Sequence, residues 1–255
     1  MNKMDEQKKL SEEYKLTKRI RTHFQKGLVQ YSLIDEGDKI LIALSGGKDS
    51  LALLELLAER SKVLKPRFTV EAAHVVMTNI KYESDHKYLE EFAASHGVKL
   101  HIVETSFDPT TDNRKSPCFL CSWNRRKALF MLAKELGCNK IALGHHQDDI
   151  LQTMLMNITF QGAFSTMPPK LVMRKFDMTI IRPMCLVHEA DLKRLAELHG
   201  YRKLIKNCPY ETDSHRSDIK QIFAQLEQMN PEARYSLWNS MNNIQTELLP
   251  QAKNN

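Results

Sequence analysis

The sequence predicts an α/β fold: a doubly wound parallel sheet of about five strands, with helices on both faces and added N- and C-terminal helices. Three observations predict it. Short apolar runs alternate with amphipathic stretches about five times, the order that builds βαβ units. A glycine-containing segment, SGGKDS at 45–50, stands between the first apolar run and the helical pattern behind it. The chain has 255 residues, 42% hydrophobic and 27% charged, enough to bury a sizeable core, with no apolar run long enough to span a bilayer.

The elements follow in order. Residues 5–34 are charged and amphipathic, and Leu16, Ile20, Phe24 and Leu28 at four-residue spacing predict a helix. DEGDKILIALSGG reads as a turn and a buried strand. A helical pattern from Asp49 to about Leu64 follows, stopped by Pro66. FTVEAAHVVM is a second strand, SDHKYLEEFAASHG a helix closed by Gly97, and VKLHIVET a third strand. After the polar SFDPTTDNRKSP comes a helix from about Cys118 to Leu136, closed by Gly137. KIALG is a fourth strand with QDDILQTMLMNITF as its helix, and the segment holding Gly162 and MPP reads as a loop. MTIIRPM is a fifth strand and HEADLKRLAELHG its helix. A cysteine turn, KNCPYETDS, and two helices between Asp218 and Leu249 complete the chain. The expected organisation is a helical segment over 1–34, a nucleotide- and metal-binding domain over 35–210 and a helical segment over 211–255.

A net charge of +6 favours a polyanionic partner, although surface lysines also serve solubility. The N-terminus lacks the apolar core of a signal peptide, which predicts a cytoplasmic protein that uses no membrane. Five cysteines, an odd number, speak against a disulfide framework and for metal or redox chemistry.

A strand feeding SGGKDS and then a helix aims backbone N–H groups and a helix N-terminus at the sheet's carboxyl edge. Gly46 and Gly47 permit close backbone approach to phosphate, and Ser45 and Ser50 add hydroxyls. The segment is not a Walker A loop. No glycine precedes Gly47 at the required spacing, and Asp49 stands where Ser or Thr would follow the lysine. Gripping the β and γ phosphates for γ transfer is therefore disfavoured.

Cys118 and Cys121 form a C-x-x-C at a helix start, where N–H groups and the nearby Arg125 and Arg126 favour thiolates. Cys208 in KNCPYE is the natural third ligand. A thioredoxin-type pair would not need Cys208. A zinc site could be closed by His215, and a [4Fe–4S] cluster on three cysteines would leave one iron open. Spacing does not separate the last two. Cys138 and Cys185 read as small packing residues.

SGGKDS, CFLCSWNRRKALF, KIALGHHQDDILQTMLMN, MPPKL and IIRPM occur in an order that resembles the tRNA 2-thiocytidine synthetase family (TtcA) of the PP-loop ATP pyrophosphatase superfamily, over roughly residues 20–230. That resemblance implies an adenine nucleotide alpha-hydrolase-like fold and cleavage of ATP between the α and β phosphates. It implies replacement of the C2 oxygen of an anticodon-loop cytidine by sulfur. It also implies a [4Fe–4S] cluster on Cys118, Cys121 and Cys208, use of Mg²⁺, a tRNA substrate, a sulfur donor system with a cysteine desulfurase, and a homodimer. Ser45, Gly46, Gly47, Asp49 and Ser50 match the family's phosphate loop, with Lys48 on its rim. Asp49, Asp148 and Asp149 are candidate Mg²⁺ ligands. Gly144 would permit close approach to the nucleotide. His145 and His146 are candidates for phosphate contact or proton transfer, and Arg125 and Arg126 for contact with ATP phosphate or tRNA. Asp49, His146, Asp149 and Arg125 are the expected catalytic set. Two departures matter: Cys208 stands alone where the family often has a second C-x-x-C, and the C-terminus lacks a basic extension. They leave open a related sulfurtransferase acting on another RNA or a small molecule, or a nucleotide-binding metalloprotein without turnover.

Overall fold

The structure is a computed structural model that describes residues 3–80, 82–83, 85–108, 110, 116–202, 205–206 and 215–250. Cys208 and its turn lie outside the described residues. Two compact units are present, the first built from residues 1–148 and 168–212 and the second from 149–167 and 213–255.

The first unit holds a six-stranded sheet. Its strands are β1 (Lys39–Ala43), β2 (Thr69–Met77), β4 (Lys99–Thr105), β5 (Lys140–Ala142), β6 (Lys170–Met173) and β7 (Met178–Ile181), ordered β4-β2-β1-β5-β7-β6. All neighbours pair parallel except β6, which runs antiparallel to β7 from Lys170 opposite Ile181 to Met173 opposite Met178. The strand order reverses between β1 and β5, the switch point at which doubly wound sheets open a crevice at their carboxyl edge. The five expected strands are thus joined by a sixth, formed by a segment read as loop. β3 (Tyr82–Glu83) and β8 (Ile205–Lys206) pair as a separate antiparallel ribbon.

Alternation along β1 assigns the two faces. Ile40 and Ile42 join Ala72 in one cluster, while Leu41 joins Ala73 and Ile141 in another. The first cluster is covered by α1 (Lys3–Gln30), α2 (Lys48–Ser61), α3 (His86–Ser95) and α6 (Glu189–Leu198), through residues such as Ile20, Leu54, Leu89 and Leu192. The second lies under α4 (Pro117–Glu135), which contributes Ala133. At the amino edge, buried Lys140 is held by Asp38 at 2.6 Å, Asp35 at 2.8 Å and the Leu33 carbonyl at 3.0 Å. The full use of its ammonium donors marks that edge as structural.

The second unit contains most of α5 (Gln147–Gln161), then α7 (Arg216–Met229) and α8 (Ala233–Ser240). Its Ile219, Phe223, Ala233 and Trp238 are buried, and the Arg234 guanidinium lies 4.9 Å from the Phe223 ring while its Nε donates to Glu227. Among the described residues no helix is long and apolar enough to cross a membrane.

Candidate active site

β1 ends against β2, where the Leu44 N–H donates to the Ala73 carbonyl at 2.8 Å, and the chain then turns through Ser45–Gly47 into α2. Gly46 has φ +85°, a conformation that side-chain-bearing residues rarely adopt. Ser50 builds the turn. Its buried Oγ donates to the Gly47 carbonyl at 2.9 Å, accepts the Gly46 N–H at 3.1 Å and meets Ser45 Oγ at 3.1 Å. Gly47 caps α2 without a side chain, so the helix start presents backbone and the positive end of the helix dipole at this turn. Ser45 is exposed and Lys48 half-buried, with its ammonium 2.9 and 3.0 Å from the two Asp49 oxygens.

The turn from β5 to α5 lies beside this loop because β1 and β5 are paired neighbours. A Cβ at Gly144 would sit 3.2 Å from Asp49 C, Asp49 O and Ser50 N, so the close approach that glycine permits is to the first turn of α2. Buried His146 then falls between two carboxylates. Its Nε2 is 3.9 Å from Asp49 Oδ1 and its Nδ1 is 3.7 Å from Asp148 Oδ2. Asp148 is also buried and accepts the Glu189 N–H at 2.8 Å, which ties the α6 start to the site. Asp149 belongs to the second unit, where its carboxylate is 3.8 Å from the Arg216 guanidinium.

Three residues not singled out in the sequence complete this edge. Glu189 Oε1 lies 3.8 Å from Lys48 Nζ, so the lysine has a second acidic neighbour. Arg182, buried behind β7, donates from Nη1 to the Pro168 carbonyl at 2.6 Å and from Nε to His145 Nδ1 at 3.3 Å. Burial, with the Arg126 charge adding to it, lowers its pKa. His74 on β2 is buried, and its Nδ1 is 2.8 Å from the Leu44 carbonyl. A carbonyl only accepts, so Nδ1 carries the proton. Burial lowers the His74 pKa, the Leu44 bond opposes this, and the charges of His86 and Arg125 lower it further. Arg125 and Arg126 thus reach this edge electrostatically, which with Lys48 and Arg182 makes it a place for an anion. Glu189 reads in sequence as an ordinary helix-start acid and His74 as an ordinary strand residue.

Cys118 lies in the first turn of α4 and Cys121 at the start of the second. Ser116 Oγ caps that helix by accepting the Phe119 N–H at 3.3 Å, with Pro117 at the helix start. Cys118 is exposed. Cys121 is half-buried against Met77, Ile80 and Phe107, which places it at the carboxyl ends of β2 and β4 and on the same edge as the phosphate loop. Two thiols three residues apart on a helix start suit an iron–sulfur or zinc centre, with Cys208 outside the described residues. Among the described residues no three His, Cys, Asp or Glu side chains form a metal-holding group. His215 belongs to the second unit, stacks on Phe160 at 4.6 Å and has Nδ1 3.3 Å from Asp218. Cys138 and Cys185 are buried, and burial pushes the Cys185 thiol up to about 12 and raises Cys138 as well.

The PP-loop domain family matches residues 14–219. The chain is 34% identical over 235 residues to the tRNA-cytidine(32) 2-sulfurtransferase of Vibrio vulnificus, covering 90% of this chain and 75% of that protein. It is 35% identical over 237 residues to the protein of the same name from Syntrophotalea carbinolica, covering 91% and 92% respectively. Among solved structures, the U34-tRNA thiolase NcsA from Methanococcus maripaludis with its [4Fe-4S] cluster aligns with a TM-score of 0.72 and 26% identity, over 94% of this chain and 82% of that one. A switch-point phosphate loop, a cysteine pair on the same edge and these relatives agree: the chain belongs to the PP-loop family, in its tRNA sulfurtransferase branch.

Proposed function

We propose that the chain uses ATP to activate a cytidine in a tRNA anticodon loop and replaces its C2 oxygen with sulfur. The observation that carries the reading is the meeting, at one sheet edge, of the SGGKDS turn, the Gly144–Asp148 turn and the Cys118–Cys121 pair. A C2 carbonyl is a poor electrophile and its oxygen a poor leaving group, which adenylylation corrects. The C2 oxygen bonds to the α-phosphorus while the bond to the bridging oxygen breaks and pyrophosphate departs with the electron pair. Sulfide then bonds to C2, the C2–O bond breaks, and AMP leaves with the former base oxygen. Sulfur enters as sulfide, so the base is neither oxidised nor reduced.

Loop N–H groups and the α2 N-terminus hold the pyrophosphate portion, and Arg182, Arg125 and Lys48 supply positive charge around it. His146, between Asp49 and Asp148, is the candidate base for the proton released when hydrosulfide attacks. Asp49 and Asp148 fit a divalent cation by their oxygen donors, and bound Mg²⁺ would neutralise phosphate charge there. Cys118, Cys121 and Cys208 carry the sulfur donors an iron–sulfur cluster takes, and a [4Fe–4S] cluster held by these three would have one iron open to sulfide. A cysteine desulfurase as the source of sulfur, with a dithiol reductant supplying the two electrons that turn its persulfide sulfur into sulfide, a cytoplasmic location and self-association as a homodimer belong to the same proposal.

Anaerobically purified, cluster-loaded protein given ATP, Mg²⁺, sulfide and tRNA is expected to yield AMP, pyrophosphate and 2-thiocytidine in equal amounts. Formation of ADP and phosphate instead would sink the adenylylation step. A second reading is thiolation of a uridine, favoured by the likeness to the U34-tRNA thiolase. Nucleoside mass spectrometry of the product decides between the two.

A further inference from the structure

We propose that the outer face of α4 is an RNA-stacking surface on which the Trp123 indole takes an unstacked base of the tRNA's single-stranded loop. This rests on the tRNA reading above and goes beyond it by naming where the loop is held.

α4 is a 19-residue helix whose apolar residues run around its whole circumference, and among its residues only Ala133 is fully buried. Its outward apolar side chains are therefore not explained by packing beneath the helix. Phe119 and Trp123 are each 49% exposed, and with Lys127 they stand at four-residue intervals, which aligns them as one stripe. Phe130, further along, is half-buried against the cluster beneath α4 and stacks on Phe176 at 5.0 Å and 25°, so the exposed stripe is Phe119, Trp123 and Lys127. The Lys127 ammonium sits 5.5 Å from the Trp123 ring centroid, so one indole face already holds a cation.

The chemistry of the stripe selects its occupant. α4 exposes Arg126, Lys127 and Lys134 against the single acid Glu135, while Arg125 is half-buried and acts on His74. A basic surface interleaved with exposed rings is what single-stranded nucleic acid requires: cations for the phosphates and a flat π-face for each splayed base. A hydrophobic protein partner would have no use for that excess of cations. Trp123 also lies two residues beyond Cys121, about 3 Å of helix rise, and turns away from the apolar cluster that Cys121 enters. A base on Trp123 is therefore a flanking nucleotide, gripped while another nucleotide enters the carboxyl edge.

The test uses the full chain, purified anaerobically, and a labelled anticodon stem–loop RNA with cytidine in its loop, beside a loop-free duplex of the same stem. Trp123→Ala is expected to weaken stem–loop binding roughly tenfold, Trp123→Phe to retain most of it, and both to bind the duplex like the parent protein. A second readout is emission. The chain has two tryptophans, and the other, Trp238, is buried. The emission lost in Trp123→Ala should be the part quenched when the stem–loop binds the parent protein. If Trp123→Ala binds the stem–loop as the parent does, or loses affinity equally for the duplex, the stacking surface is wrong while the tRNA reading stands. If Trp123→Ala binds RNA normally yet fails to accept sulfur from a cysteine desulfurase, the face is a protein-docking surface and the proposal is overturned. Failure of the parent protein to bind stem–loop or tRNA removes the tRNA reading itself.

Discussion

Ser50 shapes the phosphate loop before any ligand arrives, because its hydroxyl joins the Gly47 carbonyl to the Gly46 N–H inside the turn. Ser50→Ala leaves the Gly46 N–H short of its acceptor, while the Gly47 carbonyl keeps the Ser50 and Leu51 N–H groups at 3.0 and 3.1 Å, so the loss is about 1–3 kcal/mol for one buried polar group. ATP affinity, measured by calorimetry with a non-hydrolysable analogue, should fall several-fold, and Ser50→Thr should recover part of it. A variant that binds the analogue like the parent would show that the loop keeps its form without the hydroxyl. Gly144 acts by what it lacks. An added Cβ would press on Asp49 and Ser50 at 3.2 Å, so Gly144→Ala should cost about 1–3 kcal/mol and slow pyrophosphate release far more than it lowers the melting temperature. Equal pyrophosphate rates would mean that the first turn of α2 yields freely. The loop residues were legible in sequence because two adjacent glycines between a strand and a helix have few other uses. Arg182, Glu189 and His74 were not, because their part in the site comes from which strand ends are neighbours, and pairing order leaves no local mark.

At the scale of elements, α1 shows where periodicity informs and where it stops. Four-residue spacing of Leu16, Ile20, Phe24 and Leu28 predicted the helix, and all four are buried. The same spacing could not tell that the stripe joins the main core with α2 and α6. Arg19 makes a two-pronged contact with Asp191 at 2.6 and 2.9 Å, linking α1 to α6. Core membership sets the magnitude: Phe24→Ala should cost about 3–5 kcal/mol by urea denaturation. Arg19→Ala should cost less, about 1–3 kcal/mol, because Arg19 is half-exposed but its loss strips a two-pronged partner from the buried Asp191 carboxylate. Equal costs would place α1 outside the core. β6 escaped the sequence reading for a different reason. KLVM is short, follows two prolines and ends at a turn, so its only strand signal is the pairing with β7, which no local pattern encodes.

For the molecule as a whole, the carboxyl edge of the sheet gathers positive charge, and the effect reaches a buried group. His74 is held neutral in the fold by burial, with Arg125 and His86 adding to the effect, so its folded pKa lies below its ordinary value of 6.5. Above about pH 6.5 neither the folded nor the unfolded state protonates this ring, and its contribution to stability is complete and constant. Below that value the unfolded chain takes a proton that the folded chain refuses. Stability must therefore fall with falling pH until the folded pKa is passed, at no more than about 1.4 kcal/mol per pH unit for one group. Replacing the ring with Asn keeps a donor near the Leu44 carbonyl and removes the titration. Urea unfolding of His74→Asn between pH 7.5 and 5.5 is expected to give a shallower loss than the parent, whatever its stability at pH 7.5. Other groups titrate in the same range, His23 among them, also lowered by burial, so the comparison is the difference between the two slopes. Identical slopes would mean that His74 protonates in the folded state as readily as in the unfolded one, and that neither burial nor the cations of this edge oppose it.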